Sequence, residues 1–137
     1  MIIREFQKED ISKGLLETYK EVWFITDITE ENVNDFLSNY NYMAVCEIDG
    51  EIIGTATLHI QKKFIRNGGI AGFIEDVAVR EKYRGSKIGS ELIQFLIKKA
   101  KNIGCYKAIL SCFPERVKFY ERNGFKQEAI TMRYNYE

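Results

Sequence analysis

The stretch Phe73-Ile-Glu-Asp-Val-Ala-Val-Arg-Glu-Lys-Tyr-Arg-Gly-Ser-Lys-Ile-Gly89 constrains the fold of this chain more than any other. Residues 73–79 are apolar apart from Glu75 and Asp76, which predicts a strand, and Ile88, Leu92, Ile93, Leu96, Ile97 and Ala100 then recur at helical spacing. A strand that turns directly into a helix leaves the first-turn amides of that helix without intrahelical partners, and the helix dipole adds partial positive charge there. Lys82, Arg84 and Lys87 flank the turn, and Gly85 and Gly89 let a ligand approach the backbone with no Cβ in the way. The junction is expected to hold an anionic group, and a pyrophosphate fits it. Its spacing is not Gly-x-Gly-x-x-Gly and it lacks a Gly-Lys-Ser/Thr ending, so it is neither a dinucleotide fingerprint nor a P-loop.

The flanking sequence supplies the rest of the architecture. Residues 1–6 read as a strand, and 8–22 as a helix carrying Ile11, Leu15, Leu16 and Tyr19 on one side. Thr29 is an N-cap for a second helix with Val33, Phe36 and Leu37 on its apolar face. Asp49-Gly50 suits a type I′ hairpin turn between strands at 42–48 and 52–60, and Arg66-Asn-Gly-Gly69 turns the chain into an antiparallel strand at 70–79. After the long helix, Gly104 is a C-cap, 105–112 a strand, Pro114 the start of a short helix closing at Gly124, and Phe125 to Tyr136 a last strand. The order β-α-α-β-β-β-α-β-α-β gives an α/β (α+β) fold, a mixed and mostly antiparallel sheet with helices packed on both faces, in one domain spanning residues 1–137.

Composition narrows the functional classes. Lys and Arg number 20 and Asp and Glu 20, so no whole-surface basic field for nucleic acid exists and cations must act locally. The first residues lack the apolar core of a signal peptide, and no run reaches membrane-spanning length, so a cytoplasmic protein is expected. The cysteines, Cys46, Cys105 and Cys112, form no Cys-x-x-Cys pair and read as free buried thiols; the lone His59 has no second histidine, and no metal is expected. Glu75 and Asp76, as adjacent strand residues, are expected on opposite faces, each in a polar cleft or an ion pair because an unpaired buried charge is costly.

Thr55-Ala-Thr-Leu, Lys63-Phe-Ile, Ile74-Glu-Asp-Val-Ala-Val, Tyr83-Arg-Gly-x-x-Ile-Gly89, Cys105-Tyr-Lys-Ala-Ile-Leu, Cys112 and Val117-Lys-Phe-Tyr-Glu-Arg-Asn-Gly-Phe125 occur in this order over roughly residues 52 to 126. Together they resemble the GNAT acetyltransferase superfamily, and within it most the glucosamine 6-phosphate N-acetyltransferases. The resemblance implies acetyl-CoA as acetyl donor and the amine of glucosamine 6-phosphate as acceptor, by direct attack of the amine on the thioester. It implies that Arg84, Gly85, Ser86, Lys87, Ile88, Gly89 and Ser90 wrap the coenzyme pyrophosphate. The strands at 74–80 and 105–112 would part to admit the pantetheine arm, with Val77, Ala78, Val79 and Ser111 along it. An N–H of the Val77–Ala78 region would meet the thioester carbonyl, and Tyr120 would protonate the leaving thiolate. Glu75 or Asp76 would handle the amine, and Lys63, Arg66, Tyr106, Lys107 and Arg133 would line the acceptor site. A homodimer built through the C-terminal strand, with Phe125, Ile130, Met132, Tyr134 and Tyr136 at the interface, is implied in the same way.

The chain departs from that family mainly on the acceptor side. Ser111 stands where an acidic residue is usual, Trp23 where a threonine is usual, Arg66 replaces a histidine, Arg116 an asparagine, and Arg133 lies two residues before the usual position of a phosphate-binding arginine. Other small amines therefore stay open as acceptors, including polyamines, amino acids and aminoglycosides, as does a non-catalytic acyl-CoA sensor. A hydrolase or acyltransferase using Cys112 and His59 lacks a third residue to orient the base.

Overall fold

The computed structural model describes residues 1–136. Its sheet has the strand order β1 (Ile2–Glu5), β2 (Asn41–Ile48), β3 (Glu51–Lys62), β4 (Ile70–Val79) and β5 (Cys105–Leu110). The first four strands pair antiparallel and β4 pairs parallel with β5. The helices are α1 (Leu15–Lys20), α2 (Glu30–Ser38), α3 (Ile88–Ile103) and α4 (Val117–Arg122). Strand alternation divides the core into two layers. Ala44, Cys46, Leu58 and Ile74 meet Ile88, Leu92, Ile93, Leu96 and Ala100 of α3 on one face. Met43, Val45 and Ile52 meet Phe6, Leu15 and Val33 on the other. The mixed sheet with helices on both faces agrees with the architecture expected from the pattern.

The local signals hold at most junctions. Asp49 (φ 51°) and Gly50 (φ 79°) are both left-handed, as a type I′ turn requires. Thr29 Oγ1 accepts from Asn32 N–H and Asn32 Oδ1 accepts from Thr29 N–H, both at 3.1 Å, a reciprocal cap on α2. Gly104 (φ 103°) ends α3, its N–H donating to Ala100 and Lys101 carbonyls. The chain reverses between β3 and β4 through Ile65–Gly68, where Arg66 (φ 57°) and Asn67 (φ 54°) are left-handed.

Three expectations need correction. The helix expected over 8–22 is broken: a 3₁₀ turn over Lys8–Lys13 stops at Gly14, whose φ of 96° interrupts the helical path before α1. A Cβ at Gly14 would lie 2.5 Å from Arg80 Nη2, and the Arg80 guanidinium fixes this break by donating to Gly14 C=O (2.8 Å), Thr18 Oγ1 (2.9 Å) and Ile52 C=O (3.2 Å). The last strand expected over 125–136 does not join the sheet. Its alternating Ile130, Met132, Tyr134 and Tyr136 are almost fully exposed, because within one chain this segment makes no ladder with β5. The cysteines are free but only Cys46 is fully buried; Cys105 is half-buried and Cys112 exposed, since β5 ends at Leu110.

Candidate functional site

The site begins where two parallel strands part. Rungs run from Ile70–Cys105 to Ile74–Leu110 and stop, yet β4 continues to Val79, so residues 75–79 have no neighbour on the β5 side. A β-bulge at this point drives the divergence: the register against β3 shifts between Thr55 and Thr57, and Asp76 adopts φ 55°. Arg80 N–H donates to Ile53 C=O at 2.9 Å, which sets the alternation of the antiparallel ladder and turns the Val77 and Val79 amides toward the open edge. Within the Val77–Ala78 region it is therefore Val77 that offers an N–H there. Along β5 lies a cavity of about 920 Å³, lined by Lys107, Ser111 and Cys112, by Val117 and Tyr120 of α4, and by the C-terminal segment.

The bulge also overturns the expectation that Glu75 and Asp76 face opposite ways. Glu75 sits opposite Thr57, and Asp76 lines a second cavity together with Thr57, Tyr19, Trp23, Phe36 and Met43. Both carboxylates thus lie on the α1–α2 side of the sheet, because the extra residue resets the alternation. This second cavity, about 420 Å³, is largely apolar, and Trp23 forms part of its wall. Burial pushes the Tyr19 phenol up to about 12, with the Asp76 charge adding to the effect. Glu75 has its partner in His59, whose Nε2 lies 3.0 Å from Oε1.

At the end of β4 the chain makes one 3₁₀ turn, Glu81–Tyr83, and enters α3 through Gly85 at φ 83°. Lys87 is the N-cap of α3 and contributes no side-chain capping bond. The first i→i−4 bond runs from Glu91 N–H to Lys87 C=O at 3.0 Å, so Gly89 and Ser90 lie in the uncapped first turn. Arg84 is tied back to β4 by its Nε–H donating to Val79 C=O at 2.9 Å. The serine hydroxyls are engaged within the protein: Ser86 Oγ donates to Tyr83 C=O, and Ser90 Oγ accepts from Asn123 Nδ2 at 3.1 Å. What remains for an anion is backbone N–H and the exposed cations Lys82, Arg84 and Lys87. Gly89 has a further reason to lack a side chain, since a Cβ would sit 3.3 Å from Phe119 Cζ of α4. A glycine here lets α3 and α4 pack closely.

Tyr120 projects from α4 into the larger cavity, its ring edge-on to Phe119 (4.9 Å) and Phe125 (5.9 Å). Burial raises its pKa above that of a free tyrosine, and proximity to Cys112 adds to this, so at neutral pH the hydroxyl keeps its proton and can donate it. Ser111 Oγ lies 2.5 Å from Thr131 Oγ1, which ties the C-terminal segment to the end of β5.

Other expected residues are not brought together. Arg66 stacks over Tyr106 at 4.7 Å, with Lys107 Nζ 5.7 Å from the same ring. Lys63, whose N–H donates to Gly69 C=O, is at the same end of the sheet. That end is about six residues of β4, roughly 20 Å, from Glu75, farther than one hexosamine phosphate reaches. Arg133 is exposed on the C-terminal segment. His59 and Asn41, in contrast, join the carboxylates, a place the sequence reading does not give them. The hairpin register could have revealed the first, because pairing of residue 57 with 75 makes 59 and 75 diagonal neighbours. The hydrolase alternative fails here, since Asn41 and Glu75 occupy both ring nitrogens of His59 and leave none for Cys112.

The profile of the acetyltransferase (GNAT) family matches residues 8–125. Glucosamine 6-phosphate N-acetyltransferase of Arabidopsis thaliana is 35% identical over 138 residues, covering 95% of this chain and 93% of that protein. The enzyme of the same name from Candida albicans is 32% identical, covering 94% and 91%. The crystal structure of the Arabidopsis enzyme superposes with a TM-score of 0.92 at 33% identity over 99% of this chain and 98% of that one. A Trypanosoma brucei acetyltransferase gives 0.88 at 31% identity over 98% of each.

Proposed function

The chain is a member of the acetyltransferase (GNAT) family, and we propose that it transfers the acetyl group of acetyl-CoA to the amine of glucosamine 6-phosphate. The observation that carries this reading is the parting of β4 from β5 after Ile74–Leu110, next to the uncapped start of α3. An open strand edge with free N–H groups suits the amide-bearing pantetheine arm, and the α3 turn suits its pyrophosphate. On this reading the Val77 N–H donates to the thioester oxygen as charge develops there. Tyr120 protonates the departing thiolate. Glu75 and Asp76, both on the acceptor side of the sheet, hold the amine and take up its proton. Ser111, a hydroxyl bonded to Thr131, supplies no base.

The C-terminal segment completes the proposal. Ile130, Met132, Tyr134 and Tyr136 are 80–95% exposed in a single chain, a patch that a second copy would cover, and we place a homodimer there. Lys63 and Arg66 lie beyond the reach of a sugar phosphate bound at Glu75 of the same chain, so their part in phosphate binding, with that of Arg133 on the C-terminal segment, is assigned to a site shared with the second copy. The protein acts as one domain, residues 1–137, in the cytoplasm, where it feeds the synthesis of UDP-N-acetylglucosamine; among the described residues no helix is long and apolar enough to cross a membrane.

The test is release of free thiol from acetyl-CoA in the presence of glucosamine 6-phosphate, glucosamine and spermidine. The proposal expects glucosamine 6-phosphate to be used far more efficiently than glucosamine, with the advantage shrinking as salt screens the exposed cations. Replacing Lys63 and Arg66 together should abolish most of that advantage. Equal use of the two sugars, or a preference for spermidine, would mean that Trp23 and Ser111 mark a reshaped acceptor site.

A further inference from the structure

Glu75 is anchored before any amine arrives. His59 Nε2 lies 3.0 Å from Glu75 Oε1, and His59 Nδ1 lies 2.5 Å from Asn41 Oδ1 in β2. The Asn41 amide cannot be turned round, because its Nδ2 donates to Phe36 C=O at 3.0 Å. An amide oxygen therefore faces Nδ1, and it can only accept, so Nδ1 carries a proton. A neutral imidazole has a single N–H. With Nδ1 protonated, a bare Nε2 would meet a carboxylate oxygen at 3.0 Å, two acceptors in contact. The arrangement requires a second proton, between Nε2 and Oε1.

We propose that His59 is a positioning residue for Glu75, and that Asn41, His59 and Glu75 form a chain in which the ring holds Oε1 and leaves Oε2 for the acceptor amine. The proposal rests on the reading of Glu75 as an amine-handling carboxylate. The surroundings suit such a chain. The ring meets Asn41 from β2, Glu75 from β4 and the edge of Phe36 from α2, and Glu75 is the charged group it pairs with among the described residues. The Glu75 side chain keeps 46% of its exposure, so an amine can reach its second oxygen. A glutamine at position 59 can donate to Glu75, and a phenylalanine cannot donate at all.

The experiment compares His59→Phe, His59→Gln, Glu75→Gln and the double variant His59→Phe/Glu75→Gln, using glucosamine 6-phosphate and acetyl-CoA. His59→Phe should raise the KM for the amine by about tenfold, the scale of a charge-assisted hydrogen bond, with the KM for acetyl-CoA unchanged. The double variant should be no worse than Glu75→Gln alone. His59→Gln should restore the KM. The chain has one histidine, so nitrogen NMR reads the ring directly with no acceptor present: Nδ1 carries a proton facing Asn41 Oδ1, and the Nε2 signal moves in Glu75→Gln. Independent, multiplying effects of the two substitutions, an unprotonated Nδ1, or an Nε2 signal indifferent to Glu75→Gln would overturn the proposal. A Glu75→Gln variant as active as wild type would overturn the role of Glu75 and the anchor with it. A costly Glu75→Gln with an innocuous His59→Phe overturns the anchor alone.

Discussion

Replacing Tyr120 by phenylalanine isolates one hydroxyl. The ring sits edge-on between Phe119 at 4.9 Å and Phe125 at 5.9 Å, and phenylalanine preserves both contacts. Stability should change by no more than about 1 kcal/mol, the net scale of a lost hydrogen bond. Coenzyme affinity should also hold, since the amides proposed to bind the pyrophosphate belong to the α3 turn and not to α4. Turnover should fall by about 10²- to 10⁴-fold, the usual contribution of general acid catalysis, or roughly 2.7–5.5 kcal/mol of barrier at about 1.4 kcal/mol per decade. Because burial lifts the phenol above the ordinary tyrosine value of about 10, the wild type should keep its proton donor through neutral pH and lose activity only on a strongly alkaline limb. That limb should be missing in the variant. Stopped-time thiol trapping gives turnover, and calorimetry gives coenzyme binding. A folded Tyr120→Phe protein with wild-type turnover would return Tyr120 to a purely packing role.

Gly85→Val should weaken coenzyme A binding at least tenfold in calorimetry while lowering the melting temperature only slightly, because φ 83° is strained for valine although nothing lies within 4 Å of the new Cβ. Asp10 is fully buried, and hydrogen bonds from Arg4 and the Gln7 amide outweigh that burial and hold its carboxyl below the ordinary range. Its contribution is therefore present above the unfolded pKa of about 3.9 and lost as pH falls through the lower folded value. Asp10→Asn should cost on the order of 3 kcal/mol in urea unfolding at pH 7, and the difference from wild type should shrink below about pH 4. Substituting glutamate at both Ile130 and Met132 should convert the proposed dimer into monomers in light scattering, and an unchanged mass would remove this segment from the interface.

Periodicity made the sheet, the long helix and the strand-to-helix turn before it legible, because each rests on local rules: Asp49-Gly50 needs left-handed residues, and Ile88 to Ala100 repeat at helical spacing. The bulge at Asp76 was not legible. It arises from pairing between β3 and β4, and nothing in Glu-Asp-Val signals that an aspartate takes φ 55°. That one residue decides which face the carboxylates share and where β5 departs. The break at Gly14 escaped for a similar reason: the glycine is tied to Arg80, distant in sequence, and a helical pattern tolerates an isolated glycine. The strand expected over 125–136 followed from alternation, which records a wish for a partner without saying that the partner lies in the same chain.

Backbone amide exchange with and without acetyl-CoA tests the central claim most directly, since it reads the open edge and the α3 turn without any substitution. Exchange should slow at Val77 and Val79 on β4 and at Gly89 and Ser90 at the start of α3, with little change along α1 and α2. Protection confined to the cavity under α1 and α2, with Val77, Val79, Gly89 and Ser90 unaffected, would contradict it.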